Sequence, residues 1–362
     1  MSLQTELPVG MRLSDYDYVL PPERIAQYPL TQRDQSKMMV LNRQGETLAH
    51  HHFYQLPELL KPGDLVIVNN TKVIPARLLG HRRGHTGKVE VLLMYPDAQA
   101  PTLWEALMKP TRKLAIGTII ELPGTDAVVE VVELGQAVRG KVRLHLNSEP
   151  TVFDLLERVG HIPIPPYLNR PAEEADKETY QTVYSQDHQA LPGSQAAPTA
   201  GLHFTPAVIE ALKTRGIGLE AVTLSVSSGT FRSVADEDIT RHRMDPEIYA
   251  IPESVVEAVQ RTKAQGGRVV AIGTTVAKTL ESSAFKHNGQ IKAEMDWSQL
   301  FIYPGFQFQV VDAMVTNFHL PKTTLLMMIS AFSNRDFVLR AYNEAVREEY
   351  RFFSYGDCML IL

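Results

Sequence analysis

An α/β main domain, expected to be barrel-like, with an inserted small antiparallel β-barrel is the fold class that this sequence predicts. Three observations lead there. The chain has 362 residues, of which 44% are hydrophobic, enough for two cores. Between about residue 76 and residue 150, short β-type runs follow one another, separated by turn residues and without a good helix. Beyond residue 150, buried strands alternate with amphipathic helices. The domain reading is residues 1–75 for the first part of the main domain, 76–150 for the inserted barrel and 151–362 for the second part.

Residues 11–63 are mixed. Arg12 to Leu20 alternates as a strand does, and Pro21-Pro22-Glu23-Arg24-Ile25 marks a short helix start. Gln35 to Asn42 and Thr47 to Phe53 read as strands around the Gly45 turn. Leu65 to Val68 is a continuous apolar run of the kind a buried strand has. In the insert, Lys88 to Leu93, Leu103 to Met108, Thr118 to Leu122, Ala127 to Val132 and Lys141 to Leu146 are strands. Pro123-Gly124 and Arg139-Gly140 are among the turns between them.

Val152 to Val159 then forms a helix ending at Gly160, and the three prolines within His161–Tyr167 keep that stretch extended. Gly193 to Phe204 has neither helical nor strand periodicity, but concentrates glycine, proline, hydroxyls and a histidine. It reads as a shaped ligand loop or as an ordinary connector. Thr205-Pro206 opens the helix that follows, with threonine as N-cap and proline at the first position. Ile217 to Val226 is a strand, Glu253 to Ala264 an amphipathic helix stopped by Gly266-Gly267, and Arg268 to Ile272 a buried strand. Gly273-Thr274-Thr275 leads into a helix from Val276 to Ser283. Phe301 to Tyr303, Phe306 to Val311 and Met314 to Phe318 are expected strands. Helices follow at about residues 323–332 and 336–349, then strands at Phe352 to Tyr355 and Met359 to Leu362.

Composition excludes several classes. The formal net charge is −5, so nucleic acid would have to be met by a local basic patch. Candidate patches are His81-Arg82-Arg83-Gly84-His85 and Lys109 to Lys113 in the insert. One cysteine, Cys358, rules out an intrachain disulfide and a cysteine-rich zinc site. No base can be assigned to Cys358 as a nucleophile. Adjacent residues of His50-His51-His52 point to opposite faces of a strand, so no metal site is expected there. The first ten residues lack the pattern of a secretory leader, and no run approaches the about 18 apolar residues of a membrane span. A cytoplasmic monomer is expected.

Three stretches carry candidate chemistry. The helix start at Gly273-Thr274-Thr275 suits a phosphate or carboxylate, or is a plain cap; it is neither a Walker loop nor a dinucleotide fingerprint. Glu281 on that helix faces a ligand or water. Asp312, Asn317 and His319 surround one strand, with Asn317 and His319 on the same face. They can bind ribose hydroxyls or move a proton, or the histidine has a backbone partner. Tyr350 to Cys358 mixes aromatics with Arg351, Tyr355 and Asp357, which can stack a base or fill a core.

Together these stretches resemble the S-adenosylmethionine:tRNA ribosyltransferase-isomerases of queuosine biosynthesis, from about Met11 to Ile361. The residues carrying the resemblance include Ile25-Ala26-Gln27-Tyr28-Pro29, Asn69-Asn70-Thr71, Ile164-Pro165-Pro166-Tyr167 and Ala196 through Phe204. Gly229-Thr230-Phe231, Gly273-Thr274-Thr275, Thr279-Leu280-Glu281-Ser282, Thr316 through Pro321 and Tyr350 through Asp357 continue it.

The resemblance implies transfer and isomerisation of the ribosyl group of S-adenosylmethionine onto 7-aminomethyl-7-deazaguanine at the tRNA wobble position. Epoxyqueuosine forms, and adenine and methionine leave. S-adenosylmethionine is a co-substrate, and no metal or prosthetic group is implied. His203 and His319 are then expected to transfer protons. Thr199, Gly201, Gly273, Thr274, Thr275 and Glu281 are expected to hold S-adenosylmethionine. Asp312, Asn317, Tyr355 and Asp357 are expected at the ribose or deazaguanine, and Arg77, Arg82, Arg83, Lys109, Arg112 and Lys113 at tRNA phosphates.

The chain departs from the family pattern at Ser225, where a histidine is usual, at Lys72 and Lys278, where arginine is usual, and at Asp245-Pro246. These departures raise two alternatives: transfer to another amine acceptor, and tRNA binding without catalysis.

Overall fold

In the computed structural model, which describes residues 8–135, 138–187, 191–227 and 234–362, two sheets organise the chain. The strands in order are β1 (Lys37–Asn42), β2 (Thr47–His52), β3 (Leu65–Asn69), β4 (Arg77–Arg82), β5 (Lys88–Pro96), β6 (Leu103–Lys109), β7 (Ile119–Glu121), β8 (Val128–Leu134) and β9 (Arg139–His145). They continue with β10 (Gly218–Leu224), β11 (Glu247–Ile251), β12 (Val269–Ile272), β13 (Glu294–Ser298), β14 (Ala313–Asn317) and β15 (Cys358–Ile361). The helices are α1 (Leu56–Leu59), α2 (Val152–Val159), α3 (Asp176–Thr179), α4 (Pro206–Thr214), α5 (Glu253–Ala264), α6 (Thr274–Lys286), α7 (Thr324–Phe332) and α8 (Arg335–Arg347).

The main sheet runs β13-β11-β10-β3-β12-β14-β15-β1-β2. Its centre, β10-β3-β12-β14, is parallel, which explains why β12 and β3 up to Val68 are apolar and buried on both faces. Alternate residues serve different cores. Leu65, Ile67, Val269 and Ala271 pack with α5 to α8. Val66, Val68, Val270 and Ile272 pack with Leu56 of α1 and Val208 and Leu212 of α4. This is the expected mixed α/β main domain, and among the described residues its sheet ends at two edges, β13 and β2. β4 to β9 do close, in the order β4-β5-β6-β9-β8-β7, into an antiparallel barrel with its own core around Trp104, Val91 and Val129.

Several local expectations fail for identifiable reasons. Arg12 to Leu20 is not a strand; Leu13–Tyr16 is a 3-10 turn, and Arg12 makes a single bridge to Asp238. β4 escapes detection because Gly80 and polar residues interrupt its alternation. Gly80 is needed there, since a Cβ would lie 2.5 Å from the Glu121 carbonyl oxygen. Phe301–Tyr303 and Phe306–Val311 are irregular. The N–H groups of Gln309, Val310 and Val311 donate to the Glu281 carboxylate at 2.9–3.0 Å instead of to a neighbouring strand. Phe352 to Tyr355 makes one bridge, to Ile25, and then turns. Among the described residues no helix is long and apolar enough to cross a membrane.

Candidate active site

The parallel strands β12 and β14 end side by side, at Ile272 and Asn317, and a crevice forms beyond those ends, as it does in open α/β sheets. The chain must turn at once from β12 into α6. Gly273 makes that turn at φ 93°, a conformation that residues with a Cβ avoid. The loop before α4 closes the crevice from the side. Thr199, Gly273, Thr274, Thr275, Asn317 and His319 thereby line one small cavity of about 40 Å³, together with Thr316, Phe353 and Ser354. Six residues expected at the site from sequence therefore meet. Thr316 and Ser354 were missed, although a strand-end reading of β14 points to the first.

Among the described residues, Thr275 Oγ1 and Asn317 Oδ1 in this lining are buried without a hydrogen bond, and a buried unpaired polar group costs about 1–3 kcal/mol. The orientation of the Asn317 amide follows from its network. Its Nδ2 donates to the Phe353 carbonyl at 3.1 Å and lies 3.3 Å from His203 Nε2. Ser36 donates its hydroxyl to the Arg33 carbonyl and receives the His203 Nδ1 proton at 2.7 Å. His203 is thus the Nδ1–H tautomer with Nε2 accepting, and Asn317 Oδ1 is left over. The N-cap residue of α6 is Gly273, so no side chain caps its first turn.

His319 lines the cavity directly. Its Nε2 is 2.9 Å from Thr316 Oγ1. Its backbone is pinned on both sides, the N–H donating to Tyr342 Oη and the carbonyl accepting from Tyr18 Oη. Burial lowers the pKa of His319 to about 3 and that of His203 to about 4, so both imidazoles are neutral at ordinary pH.

Those shifts predict a pH effect. A histidine whose folded pKa lies below its unfolded 6.5 stabilises the fold above pH 6.5 and loses that contribution as pH falls toward the folded value. Between pH 7 and 5.5 each contributes a loss of about 1 kcal/mol. Burial pushes the carboxyls of Glu281 and Asp357 up, which acts in the opposite direction. The histidine effect is therefore read against His319→Gln in urea unfolding at both pH values. Wild type is expected to lose about 1 kcal/mol more than the variant; equal losses would contradict the assignment.

The structure removes other expected residues from the cavity. His203 is not in the lining; it lies 3.3 Å from Asn317 Nδ2 and packs on the Phe53 ring. Gly201 is required by packing, since a Cβ there would lie 2.1 Å from Tyr184 Oη. Glu281 is fully buried and caps the segment from Gln309 to Val311. Asp312 sits at the opposite end of β14, held by Lys263 at 2.6 Å and by the Val269 N–H. The Tyr355 hydroxyl donates to Asp176, and Asp357 accepts from the Lys37 and Arg351 N–H groups. The polar atoms of these residues are committed to holding the fold. Cys358 is buried in β15, and burial pushes its thiol up.

The six basic barrel residues expected at tRNA fall into two groups. Arg77, paired with Glu90 at 2.7 Å, and Lys109 line a 730 Å³ cavity facing Pro163 to Pro171. At the other end of β4, Arg82 donates to the Lys113 carbonyl, Arg83 pairs with Glu121, and Arg112 and Lys113 are exposed. Among the described residues no cluster of three or more His, Cys, Asp or Glu is placed to hold a metal ion.

The departures from the family pattern are accommodated differently. Lys278 forms a buried ion pair with Glu247 at 2.7 Å, and Asp245 pairs with Arg139 of the barrel at 2.6 Å. Lys72 pairs with exposed Asp187, while the buried Ser225 hydroxyl has no partner among the described residues. Gly229-Thr230-Phe231 lies outside the described residues.

Comparison with known proteins adds three findings. A family model described as queuosine biosynthesis protein matches residues 13–361. Proteins named S-adenosylmethionine:tRNA ribosyltransferase-isomerase are similar over nearly the whole chain. That of Heliobacterium modesticaldum is 45% identical, and that of Moorella thermoacetica 46%; each match covers 97% of this chain and 100% of the relative. The crystal structure of S-adenosylmethionine tRNA ribosyltransferase from Thermotoga maritima matches with a TM-score of 0.54 at 35% identity, covering 96% of this chain and 100% of that one.

Proposed function

The chain belongs to the queuosine biosynthesis family of S-adenosylmethionine:tRNA ribosyltransferase-isomerases, and we propose that its chemistry is seated at the cavity lined by Thr275, Asn317 and His319. The protein transfers and isomerises the ribosyl group of S-adenosylmethionine onto the deazaguanine of tRNA, giving the epoxyqueuosine product.

The observation that carries the site assignment is the pair of unpartnered buried atoms, Asn317 Oδ1 and Thr275 Oγ1, in one cavity. A ligand hydroxyl can satisfy an acceptor such as Asn317 Oδ1, and the Thr275 hydroxyl can donate or accept. The cavity is small, so it takes the ribosyl end of the donor while the remainder extends beyond it. The reaction needs a proton removed beside the sulfonium and a proton delivered to departing adenine. His319 is neutral and has Nδ1 without a partner among the described residues, which suits proton acceptance. His203 and Ser36 keep the Asn317 amide turned toward the ligand. Glu281, Asp312, Tyr355 and Asp357 have no part in this assignment. Arg82, Arg83, Arg112 and Lys113 form one basic end of the barrel suited to tRNA phosphates.

The test is incubation with S-adenosylmethionine and tRNA carrying the aminomethyl deazaguanine, followed by nucleoside mass spectrometry. Epoxyqueuosine and adenine are expected together; neither forming from folded protein would overturn the reading. Thr275→Val then tests the site. It removes the unpartnered hydroxyl while nearly keeping its shape, so stability should hold or rise. The KM for S-adenosylmethionine should increase about tenfold. An unchanged KM would remove Thr275 from donor binding.

A further inference from the structure

A second cavity, of 460 Å³, lies between the barrel and the edge of the main sheet. Tyr95 of β5 and Trp297 of β13 form one wall, their rings edge to face at 5.1 Å. Tyr95 is held by the Pro246 carbonyl at 3.3 Å. Arg139 of β9 and Asp245, paired at 2.6 Å, tie the barrel to the main sheet across this cavity.

Trp297 is 43% exposed on an edge strand, with Met295, 55% exposed, on the same face two residues away. Large apolar side chains placed together on a surface mark a binding face. The cavity is of small-ligand size. It also adjoins the candidate active site: Val226 lines the small cavity and Ser227, the next residue, lines this one. The Ser227 N–H donates to Glu247 at 3.0 Å, which fixes the wall between them.

We propose that this cavity takes an unstacked base of the tRNA anticodon loop, seated against Trp297. The proposal rests on the tRNA reading above. Loop bases in RNA are recognised by stacking on aromatic side chains, and each stacked base contributes about 1–3 kcal/mol. Arg139 and Lys141 also line the cavity, each already paired with a carboxylate, Asp245 and Glu133, so the aromatic wall and not free charge carries the recognition. A base seated here places the neighbouring reactive centre one residue step from the cavity that holds Asn317 and Thr275.

The chain has two tryptophans, and Trp104 is buried in the barrel core, so the emission lost in Trp297→Phe isolates Trp297. An anticodon stem-loop RNA should quench that emission, and S-adenosylmethionine alone should not. Trp297→Leu should raise the KM for tRNA about 5- to 150-fold, leave the KM for S-adenosylmethionine unchanged, and be rescued by Trp297→Phe. Absence of quenching by the RNA, quenching by S-adenosylmethionine alone, or a KM for tRNA within about twofold of wild type in Trp297→Leu would overturn the proposal. Wild-type turnover measured in the same assay separates such a failure from failure of the reaction itself.

Discussion

His319→Ala is expected to lower kcat by about 100- to 10,000-fold, the range for loss of a positioned proton-transfer group. The expectation rests on position. His319 lines the same cavity as Asn317 and Thr275, and its Nε2 is fixed by Thr316. Circular dichroism should stay that of wild type, because Tyr18 and Tyr342 hold the backbone of residue 319, not its ring. The pH profile provides a second reading. With a pKa near 3 the imidazole is neutral throughout the working range, so no acid limb near the ordinary histidine value should appear. His203→Ala should differ, acting by releasing the Asn317 amide and so raising the KM for S-adenosylmethionine along with any fall in kcat. A His319→Ala enzyme within tenfold of wild type would sink the assignment.

Lys278→Met is expected to destabilise the fold by about 3–5 kcal/mol, the usual result of leaving one member of a buried ion pair alone. Both side chains of the Lys278–Glu247 pair are 5% exposed and meet at 2.7 Å. The ammonium of Lys278 donates to one Glu247 oxygen, while the other accepts the Ser227 N–H. Without the ammonium, a carboxylate remains in a site that excludes water. The measurement is the urea midpoint at constant slope. Lys278→Arg should retain most of the stability, and pairing Lys278→Met with Glu247→Gln should recover at least half of the loss. A single variant within about 1 kcal/mol of wild type, the centre of ordinary point-mutant effects, would show that the pair contributes little.

The sequence announces some residues plainly and hides others. Gly273 followed by two threonines, after a buried strand, identifies the turn into α6, because few residues tolerate that backbone. Asn317 and His319 are legible as same-face residues at a strand end. His203 is legible as a polar residue in a shaped loop, but its partner is not. Ser36, 167 positions away, and Asn317, 114 positions away, decide what its two nitrogens do. Glu281 and Asp357 look like site carboxylates in one dimension. In three dimensions Glu281 accepts the N–H groups of Gln309, Val310 and Val311 in an irregular segment, and Asp357 accepts those of Lys37 at the start of β1 and of Arg351.

Local chemistry alone determined that strands β5 to β9 exist, the helix cap at Thr205 and the apolar centre of the main sheet, although Arg139-Gly140, expected as a turn, opens β9, and α6 starts at Thr274 instead of Val276. Each depends on neighbours a few residues apart. Tertiary structure alone decided that the main sheet is open, that β4 completes the barrel, and which candidate polar groups lack partners. The physical reason is that hydrogen-bond satisfaction is a property of the packed molecule. Two asparagines or two threonines are identical in sequence, and only the packing of distant chain segments leaves one of them, at Asn317 or Thr275, with an atom unpartnered among the described residues.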